Sequence, residues 1–232
     1  MNIRPLVAVV AAAGGGERLG RGEPKALVTC AGRPLVEWSI EALAAVCDRV
    51  VVALPPGELD AAFTRAAGLA ERVGGGASRS ESVLAGVRAS PEARAYVVHD
   101  AARPLVTPAL VERCAGEVGH GWDGAVAAAR MTDTVKEARA SGEVLRTLDR
   151  ATLWAVQTPQ VFKATVLREA LDVDPALLAS ATDDASLVEA AGGRVRVVES
   201  SPENIKVTVG SDLAAAEATL AARAAAPSAG AA

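Results

Sequence analysis

Cysteine is scarce in this chain, and no cysteine pair has the spacing of a metal or redox motif. The 232 residues include three cysteines, Cys30, Cys47 and Cys114, without a CxxC pair. The odd count excludes a disulfide framework and argues against a zinc site. The first residues also lack the form of a signal peptide, because the apolar run over 6–13 is short and ends in three glycines. We therefore expect a cytoplasmic protein.

An excess of positive charge and long apolar runs are absent too. The chain has 24 lysines and arginines against 28 aspartates and glutamates, a net charge of −4. This balance lacks the basic footprint of nucleic-acid binding. No apolar run reaches the roughly 18 residues that a membrane span requires. We therefore expect small-molecule partners, with no nucleic acid and no membrane.

Short apolar runs that alternate with helical patterns predict an α/β fold. The runs are rich in valine or alanine, as in strands buried on both faces, and cover 6–13, 49–54, 96–99, 124–128 and 194–198. Such alternation predicts a Rossmann-like three-layer fold with a mostly parallel sheet. The stretch 131–156 predicts an inserted β-hairpin with its turn at 140–142. We expect one domain over 1–222 and a disordered tail over 223–232.

A glycine-rich segment follows the first predicted strand. It contains Gly14, Gly15 and Gly16, with Arg18 and Lys25 close behind. Glycines at this place let backbone N–H groups approach a phosphate. The dinucleotide-binding fingerprint fails, because its third glycine is absent. The P-loop fingerprint fails as well, because its lysine and its serine or threonine are absent. A plain strand-to-helix turn is the alternative, but two cations beside the loop favour a triphosphate site.

Further polar clusters follow along the chain. Glycines and serines over 74–82 lead into a predicted helix, as an anion or base site or as a flexible turn. Asp100 ends a buried strand, where a carboxylate would hold a ribose hydroxyl or Mg²⁺. His99, beside a valine run, is expected to be a core histidine. Thr182 is expected to cap a helix, and Lys206 to lie on a short strand over 204–208.

Together the glycine clusters and five cations predict a pocket for polyanions. The cations are Arg18, Lys25, Arg103, Arg150 and Lys206. No serine or cysteine has a motif that pairs it with a base. A phosphate monoester, with its second pKa near 6, is already mostly anionic at pH 7. An enzyme that uses such a phosphate as nucleophile needs charge neutralisation and positioning rather than a general base.

The ordered motifs resemble those of the 2-C-methyl-D-erythritol 4-phosphate cytidylyltransferases over nearly the whole chain. They are the glycine loop with Lys25, and then segments 99–104, 149–150, 158–160, 182–186 and 204–208. The resemblance implies a nucleotidyltransferase fold and the transfer of a cytidylyl group from CTP to methylerythritol phosphate, with release of pyrophosphate. It also implies a homodimer clasped by the hairpin, with Arg150 serving the neighbour's site.

The same resemblance implies roles for individual residues. Catalytic roles fall to Arg18, Lys25, Arg150 and Lys206. Contacts with CTP fall to Ala12, Ala13, Gly14, Gly16, Gly76, Ser82, Asp100 and Ala101. Contacts with the sugar-alcohol phosphate fall to Arg103, Thr134, Arg150, Thr182 and Lys206. The implied cofactor is Mg²⁺ or another divalent cation, held mostly by the CTP phosphates with Asp100 as protein ligand.

Three other functions remain open at this level. A ribitol 5-phosphate cytidylyltransferase would share the fold and much of the glycine loop, although Ala102 favours methylerythritol phosphate. A Rossmann dehydrogenase is disfavoured, since Pro55 and Pro56 follow the second predicted strand where a ribose-binding acid is expected. An inactive nucleotide-binding module would leave Arg18 and Lys25 dispensable.

Overall fold

The fold is built on one seven-stranded sheet. The computed structural model describes residues 1–15, 19, 22–63, 65–66 and 68–225. The strands are β1 (Leu6–Ala11), β2 (Thr29–Cys30), β3 (Arg33–Pro34), β4 (Arg49–Leu54), β5 (Glu71–Gly74), β6 (Ala95–Asp100), β7 (Gly124–Arg130), β8 (Lys136–Ala138), β9 (Val144–Thr147), β10 (Trp154–Lys163) and β11 (Val195–Glu199). The large sheet has the order β11-β7-β10-β6-β1-β4-β5, and only β10 is antiparallel to its neighbours. The prediction of a mostly parallel sheet is confirmed.

Helices cover both faces of the sheet and make the three layers. They are α1 (Leu35–Ala44), α2 (Arg79–Arg88), α3 (Pro108–Gly119), α4 (Ala164–Leu171), α5 (Pro175–Ser180), α6 (Asp184–Ala190) and α7 (Gly210–Ala225). Alternate residues of β1 point to opposite faces, so Val10 packs with α1 and α3 while Val9 packs with α2 and α4. Burial on both faces explains why the strand sequences are apolar without alternation. No helix in the described part of the chain is both long and apolar enough to cross a membrane.

The topology opens a crevice at one edge of the sheet. The chain leaves β1 for β4 on one side, whereas β6 pairs with β1 on the other side. Ligands of open α/β sheets bind at the carboxyl ends of the strands where the strand order reverses in this way. The glycine loop after Ala11 and the carboxylate of Asp100 lie at this edge.

Several local expectations prove wrong. The apolar pattern missed β5, a short edge strand, and β10, whose polar centre around Gln157–Gln160 contains Pro159 and a register shift. Such a shift is where a sheet tolerates proline. Residues 204–208 form a loop rather than a strand. Asp183, not Thr182, caps α6, because its carboxylate accepts from the backbone N–H of Ser186.

The hairpin and the C-terminal helix complete the chain. β8 and β9 form a two-stranded antiparallel sheet within the stretch predicted as a hairpin, with Gly142 at φ 87° in the turn. Helix α7 continues to Ala225, three residues into the segment expected to be a disordered tail. The last seven positions of that expected tail, 226–232, lie outside the described residues.

Candidate active site

A cavity of about 490 Å³ lies at the carboxyl edge of the sheet. Its walls come from the loop after β1, the short helical turn Lys25–Leu27, the start of α2, the end of β6 and the loop that carries Lys206. Nine of the residues expected at the site line it: Ala12, Ala13, Gly14, Lys25, Gly76, Ser82, Asp100, Ala101 and Lys206. Segments separated by up to about two hundred positions in sequence therefore meet at one cavity.

The glycine loop forms one wall beside a lysine. The backbone N–H of Ala12 donates to the Ala53 carbonyl, which extends the β1–β4 pairing by one residue. Gly14 and Gly15 follow with open space where a Cβ would stand. Lys25 also lines the cavity. Gly16 and Arg18, two further predicted site residues, lie outside the described residues.

The second glycine segment is held close to the first by the capping of α2. Ser78 caps the helix in a capping box with Glu81, and its carbonyl accepts from the hydroxyl of Ser82. The Ser82 hydroxyl in turn accepts from the backbone N–H of Gly76 at 3.1 Å. A Cβ on Gly75 would stand 2.5 Å from the Cβ of Ala13, so glycine is required for this approach. A rigid turn therefore presents Gly76 and Ser82 to the cavity.

Four alternating charges connect the cavity with the protein interior. Lys206 Nζ contacts Asp100 Oδ2 at 2.8 Å, and Arg79 Nε donates to Asp100 Oδ1 at 2.7 Å. Arg79 Nη1 also donates to Asp184 Oδ2 at 2.7 Å. Although burial opposes ionisation, the two cations hold the pKa of Asp100 well below its ordinary value. For the fully buried Asp184 the loss of hydration is the largest influence, and it raises the pKa.

The loop carrying Lys206 is held by backbone and amide contacts. The backbone N–H of Val207 donates to the Ala102 carbonyl at 2.8 Å. The buried Asn204 side chain donates to Gln157 Oε1 and to the Thr158 carbonyl. Arg103 Nη1 donates to the carbonyl of Asn204 at 2.7 Å. These contacts hold an irregular segment in place, which is why no strand is needed to position Lys206.

His99 is a buried structural residue, as expected. Its side chain is fully buried, and burial lowers its pKa to about 4. Nδ1 lies 3.0 Å from the Thr158 hydroxyl, and Nε2 lies 3.3 Å from the Arg103 carbonyl. Because that carbonyl can only accept, we assign the proton to Nε2. The Thr158 hydroxyl also accepts from the backbone N–H of Asp100, so His99 supports the strand end beneath the site.

Four residues expected to bind the second substrate do not line this cavity. Arg103 is turned to the Asn204 carbonyl. Thr134 and Arg150 are exposed at the base of the hairpin, where Arg150 donates to the Thr132 carbonyl. Thr182 lines a separate, mainly apolar cavity of about 400 Å³ beside α5 and α6. A single chain therefore does not bring these residues to the cavity wall.

No motif in the sequence indicated a role for Arg79 or Asp184, although both fall within the polar clusters. Arg79 is the first residue of α2, a position where a positive charge opposes the helix dipole. A cation at such a position suggests a carboxylate partner, and this is the signal in the sequence that could have indicated Arg79. No sequence pattern identifies which carboxylate, because Asp100 and Asp184 lie 21 and 105 positions away.

The donor set of the cavity fits a divalent cation held mainly by phosphates. Asp100 is the only carboxylate among the described residues that line the cavity. Within the described ranges, no cluster of three or more histidine, cysteine, aspartate or glutamate side chains could hold a metal. Mg²⁺ in phosphate-transfer sites commonly binds one or two carboxylates together with substrate phosphates. Asp100 fits that arrangement through its remaining lone pairs, since Arg79 and Lys206 each contact one of its oxygens. The described residues of the cavity offer no second carboxylate for an all-protein cage.

The fold and the cavity define the class of protein. The glycine loop, Lys25 and Lys206 at the carboxyl edge of a mostly parallel sheet form a site suited to the phosphates of a nucleotide. The class is that of an α/β nucleotide-binding protein. The family model described as "IspD: 2-C-methyl-D-erythritol 4-phosphate cytidylyltransferase" matches residues 6–222. The chain belongs to the 2-C-methyl-D-erythritol 4-phosphate cytidylyltransferase family, and the expectation from its motifs is confirmed.

Individual relatives agree with the family model. The chain is 44% identical over 228 residues to 2-C-methyl-D-erythritol 4-phosphate cytidylyltransferase of Nocardia farcinica, with 97% of each chain covered. The crystal structure of the Thermus thermophilus enzyme of that name is 35% identical with a TM-score of 0.76, covering 91% of this chain and 97% of that one. The Francisella tularensis structure is 27% identical with a TM-score of 0.77, covering 90% and 96%. Neither the family model nor these relatives favour ribitol 5-phosphate as the substrate.

Proposed function

We propose that the protein transfers a cytidylyl group from CTP to 2-C-methyl-D-erythritol 4-phosphate, giving 4-CDP-2-C-methyl-D-erythritol and pyrophosphate in the non-mevalonate isoprenoid pathway. The observation that carries the proposal is the cavity itself. It brings the glycine loop and Lys25 to the same space as Asp100 and Lys206 in a chain of this family. The two substrates would occupy the two ends of this space.

In the proposed reaction, a phosphate oxygen of methylerythritol phosphate attacks the α-phosphorus of CTP. A new P–O bond forms as the bond between the α-phosphorus and the α,β-bridging oxygen breaks, and the electron pair leaves with pyrophosphate. The attacking phosphate is already mostly ionised at neutral pH, so no general base is needed. Catalysis then consists of in-line positioning and charge stabilisation.

The proposed nucleotide contacts follow the cavity wall. Backbone groups of Ala12, Ala13 and Gly14 would face the triphosphate, while Arg18 and Lys25 would stabilise charge on the α-phosphate and on pyrophosphate. Gly76 and Ser82 would contact the cytosine. The capping of α2 holds the turn that carries them in a fixed position. Gly16, Asp100 and Ala101 complete the proposed CTP contacts, the last two at the ribose.

The proposed second-substrate contacts need a neighbouring subunit. Lys206 would bind the methylerythritol phosphate from this chain. Arg103 and Thr182 of the same chain would join it by turning from the Asn204 carbonyl and from the separate cavity beside α5 and α6. Thr134 and Arg150 would reach it from the hairpin of the partner in a homodimer. Their exposure at the base of the hairpin supports this, as do the exposed Val144 and Leu145 on β9.

A divalent cation is the proposed cofactor. Asp100 would hold Mg²⁺ from the protein side, with the CTP phosphates as the main ligands. When bound, the cation would neutralise negative charge on the triphosphate. The cytoplasm is the proposed compartment, and the three buried cysteines, all free of disulfides, support a reducing environment.

The test is pyrophosphate release by the purified protein with CTP, Mg²⁺ and either methylerythritol 4-phosphate or ribitol 5-phosphate. We expect turnover with the first substrate and at most a trace with the second. Turnover with ribitol 5-phosphate alone would contradict the assigned substrate but not the chemistry. No pyrophosphate with either substrate, from folded protein, would contradict the proposed reaction and favour a nucleotide-binding module.

A further inference from the structure

Arg79 joins two buried carboxylates that belong to different parts of the fold. Its Nε donates to Asp100 at the end of β6, and its Nη1 donates to Asp184 at the first residue of α6. Asp100 is 6% exposed at the cavity wall and Asp184 is fully buried, so both carboxylates depend mainly on protein partners. A planar guanidinium can satisfy two such acceptors at once, which an ammonium group does poorly.

The two oxygens of Asp100 are divided between two cations. Oδ1 accepts from Arg79, and Oδ2 contacts Lys206 Nζ at 2.8 Å. The contact with Arg79 thus fixes the rotation of the carboxylate and aims its other oxygen at Lys206. The side chain of Lys206 is 41% exposed, so this carboxylate is its main restraint at the cavity. Arg79 therefore influences where the Lys206 ammonium lies without contacting it.

The formal charges of the cluster also favour a role for Arg79 in positioning Lys206. The cluster Lys206, Asp100, Arg79 and Asp184 contains two cations and two anions. If Lys206 turns towards a substrate phosphate, Asp100 keeps Arg79 as its counter-ion, and the Asp100 carboxylate keeps its orientation. Without Arg79, Asp100 would have Lys206 as its sole ion-pair partner in this cluster and would compete with the phosphate for it.

We propose that Arg79 is a positioning residue for the second substrate, because it orients Asp100 and, through Asp100, holds Lys206 in place to receive the phosphate of the sugar alcohol. This inference rests on the proposed function. The Arg79 guanidinium then has two tasks. Its contact with Asp184 neutralises a buried charge and is structural, whereas its contact with Asp100 orients that carboxylate and serves the reaction. The base site at Gly76 and Ser82 is held by Ser78 and the α2 backbone, so Arg79 should affect the two substrates unequally.

The experiment compares Arg79→Met, Asp184→Asn and the double variant, each by thermal unfolding and by kcat and KM for both substrates. Arg79→Met should lower the unfolding temperature because Asp184 keeps a buried charge without its partner. Asp184 Oδ1 has no hydrogen-bond partner within the described part of the chain, so asparagine can place its NH₂ there and still accept from Arg79. The double variant should recover most of the stability lost in Arg79→Met, because the neutral side chain at position 184 leaves no buried charge without a partner.

The kinetic constants distinguish a positioning role of Arg79 from a purely structural one. Relative to Asp184→Asn, the double variant should show a KM for methylerythritol phosphate raised about tenfold or more and a lowered kcat. Its KM for CTP should rise by a smaller factor, because the glycine loop and the independently capped base site hold the nucleotide apart from Asp100. Arg88→Met, the same change at the exposed end of α2, is the matched control and should behave as wild type.

The possible failures are distinguishable. A double variant as active as Asp184→Asn would overturn the positioning role and leave the proposed function intact. Equal losses for CTP and methylerythritol phosphate would overturn it too, because they would indicate general damage to the site. A folded wild-type protein without turnover would refute the proposed function, and the positioning role would fall with it.

Discussion

Lys25 lies at the glycine-loop end of the cavity, where the proposed reaction develops charge on the leaving pyrophosphate. Lys25→Ala should lower kcat/KM about 100-fold or more, since a single preorganised donor at developing charge has an effect of this size. Lys163→Ala is the control, because Lys163 pairs with Asp123 at the opposite edge of the sheet. Steady-state pyrophosphate release measures both. A Lys25→Ala variant within a fewfold of wild type would refute the proposed mechanism.

His99 connects the site with the stability of the protein. Burial lowers its pKa to about 4, against 6.5 for an ordinary histidine. Between these values the unfolded chain binds the proton and the folded chain does not, so the free energy of unfolding should decrease as pH falls from about 6.5 to about 4. Urea denaturation at several pH values measures this slope.

Two substitutions test the origin of that pH dependence. His99→Gln should flatten the slope, because it removes the buried group that must stay neutral. His120→Gln removes the chain's other histidine, from an exposed position, and is the matched control. An unchanged slope in His99→Gln would assign the acid sensitivity to other groups.

Among the elements, α2 depends on a glycine for its contact with β1. A Cβ on Gly86 would stand 2.4 Å from Cγ1 of Val9. Gly86→Ala should therefore destabilise the protein by about 1–3 kcal/mol through overpacking. A Cβ on Gly116 in α3 would stand in open space, so Gly116→Ala should stabilise the protein by up to about 1 kcal/mol through helix propensity. Chemical denaturation of both variants tests the opposite signs, and equal effects would contradict the close packing of α2.

The elements also differ in how far their sequences indicate them. Helix α3 was predictable because Thr107 accepts from Leu110 as its N-cap and Pro108 follows as the first helical residue. The start of α6 was misplaced by one residue because Thr182 and Asp183 are both good caps. Strand β10 was missed because cross-strand pairing on both sides overrides a polar, proline-containing centre. Local chemistry thus predicts helix starts to within a residue and apolar strands well, and it misses strands that only cross-strand pairing defines.

At the scale of the whole molecule, the hairpin is the proposed dimer contact. Leu145 on β9 is 47% exposed, and Leu69, outside the hairpin, is 43% exposed. Leu145→Glu should shift a dimer to monomer because it places a charge in an apolar interface, whereas Leu69→Glu should not. Sedimentation equilibrium of the two variants and the wild type measures the difference. A wild-type monomer, or a dimer unchanged by Leu145→Glu, would refute the hairpin interface.

A mixed dimer tests whether Arg150 acts across that interface. Arg150→Ala and Lys25→Ala should each be nearly inactive alone. If Arg150 serves the neighbour, the heterodimer has one intact site, and random mixing should restore about a quarter of wild-type activity. If Arg150 serves its own site, mixing should restore nothing. Mixing after reversible unfolding allows the subunits to exchange.

The amino-acid order alone was enough for the class of fold, the glycine loop and most of the cavity wall. This is because buried parallel strands have continuous apolar sequences and because glycines and cations at strand ends carry recognisable chemistry. It was not enough for the charge cluster of Arg79, Asp100, Asp184 and Lys206. Those partners meet only when β6, α2, α6 and the loop beyond Asn204 pack together. Ion pairs within a buried cluster depend on tertiary distance, and no local pattern encodes which charges will be neighbours.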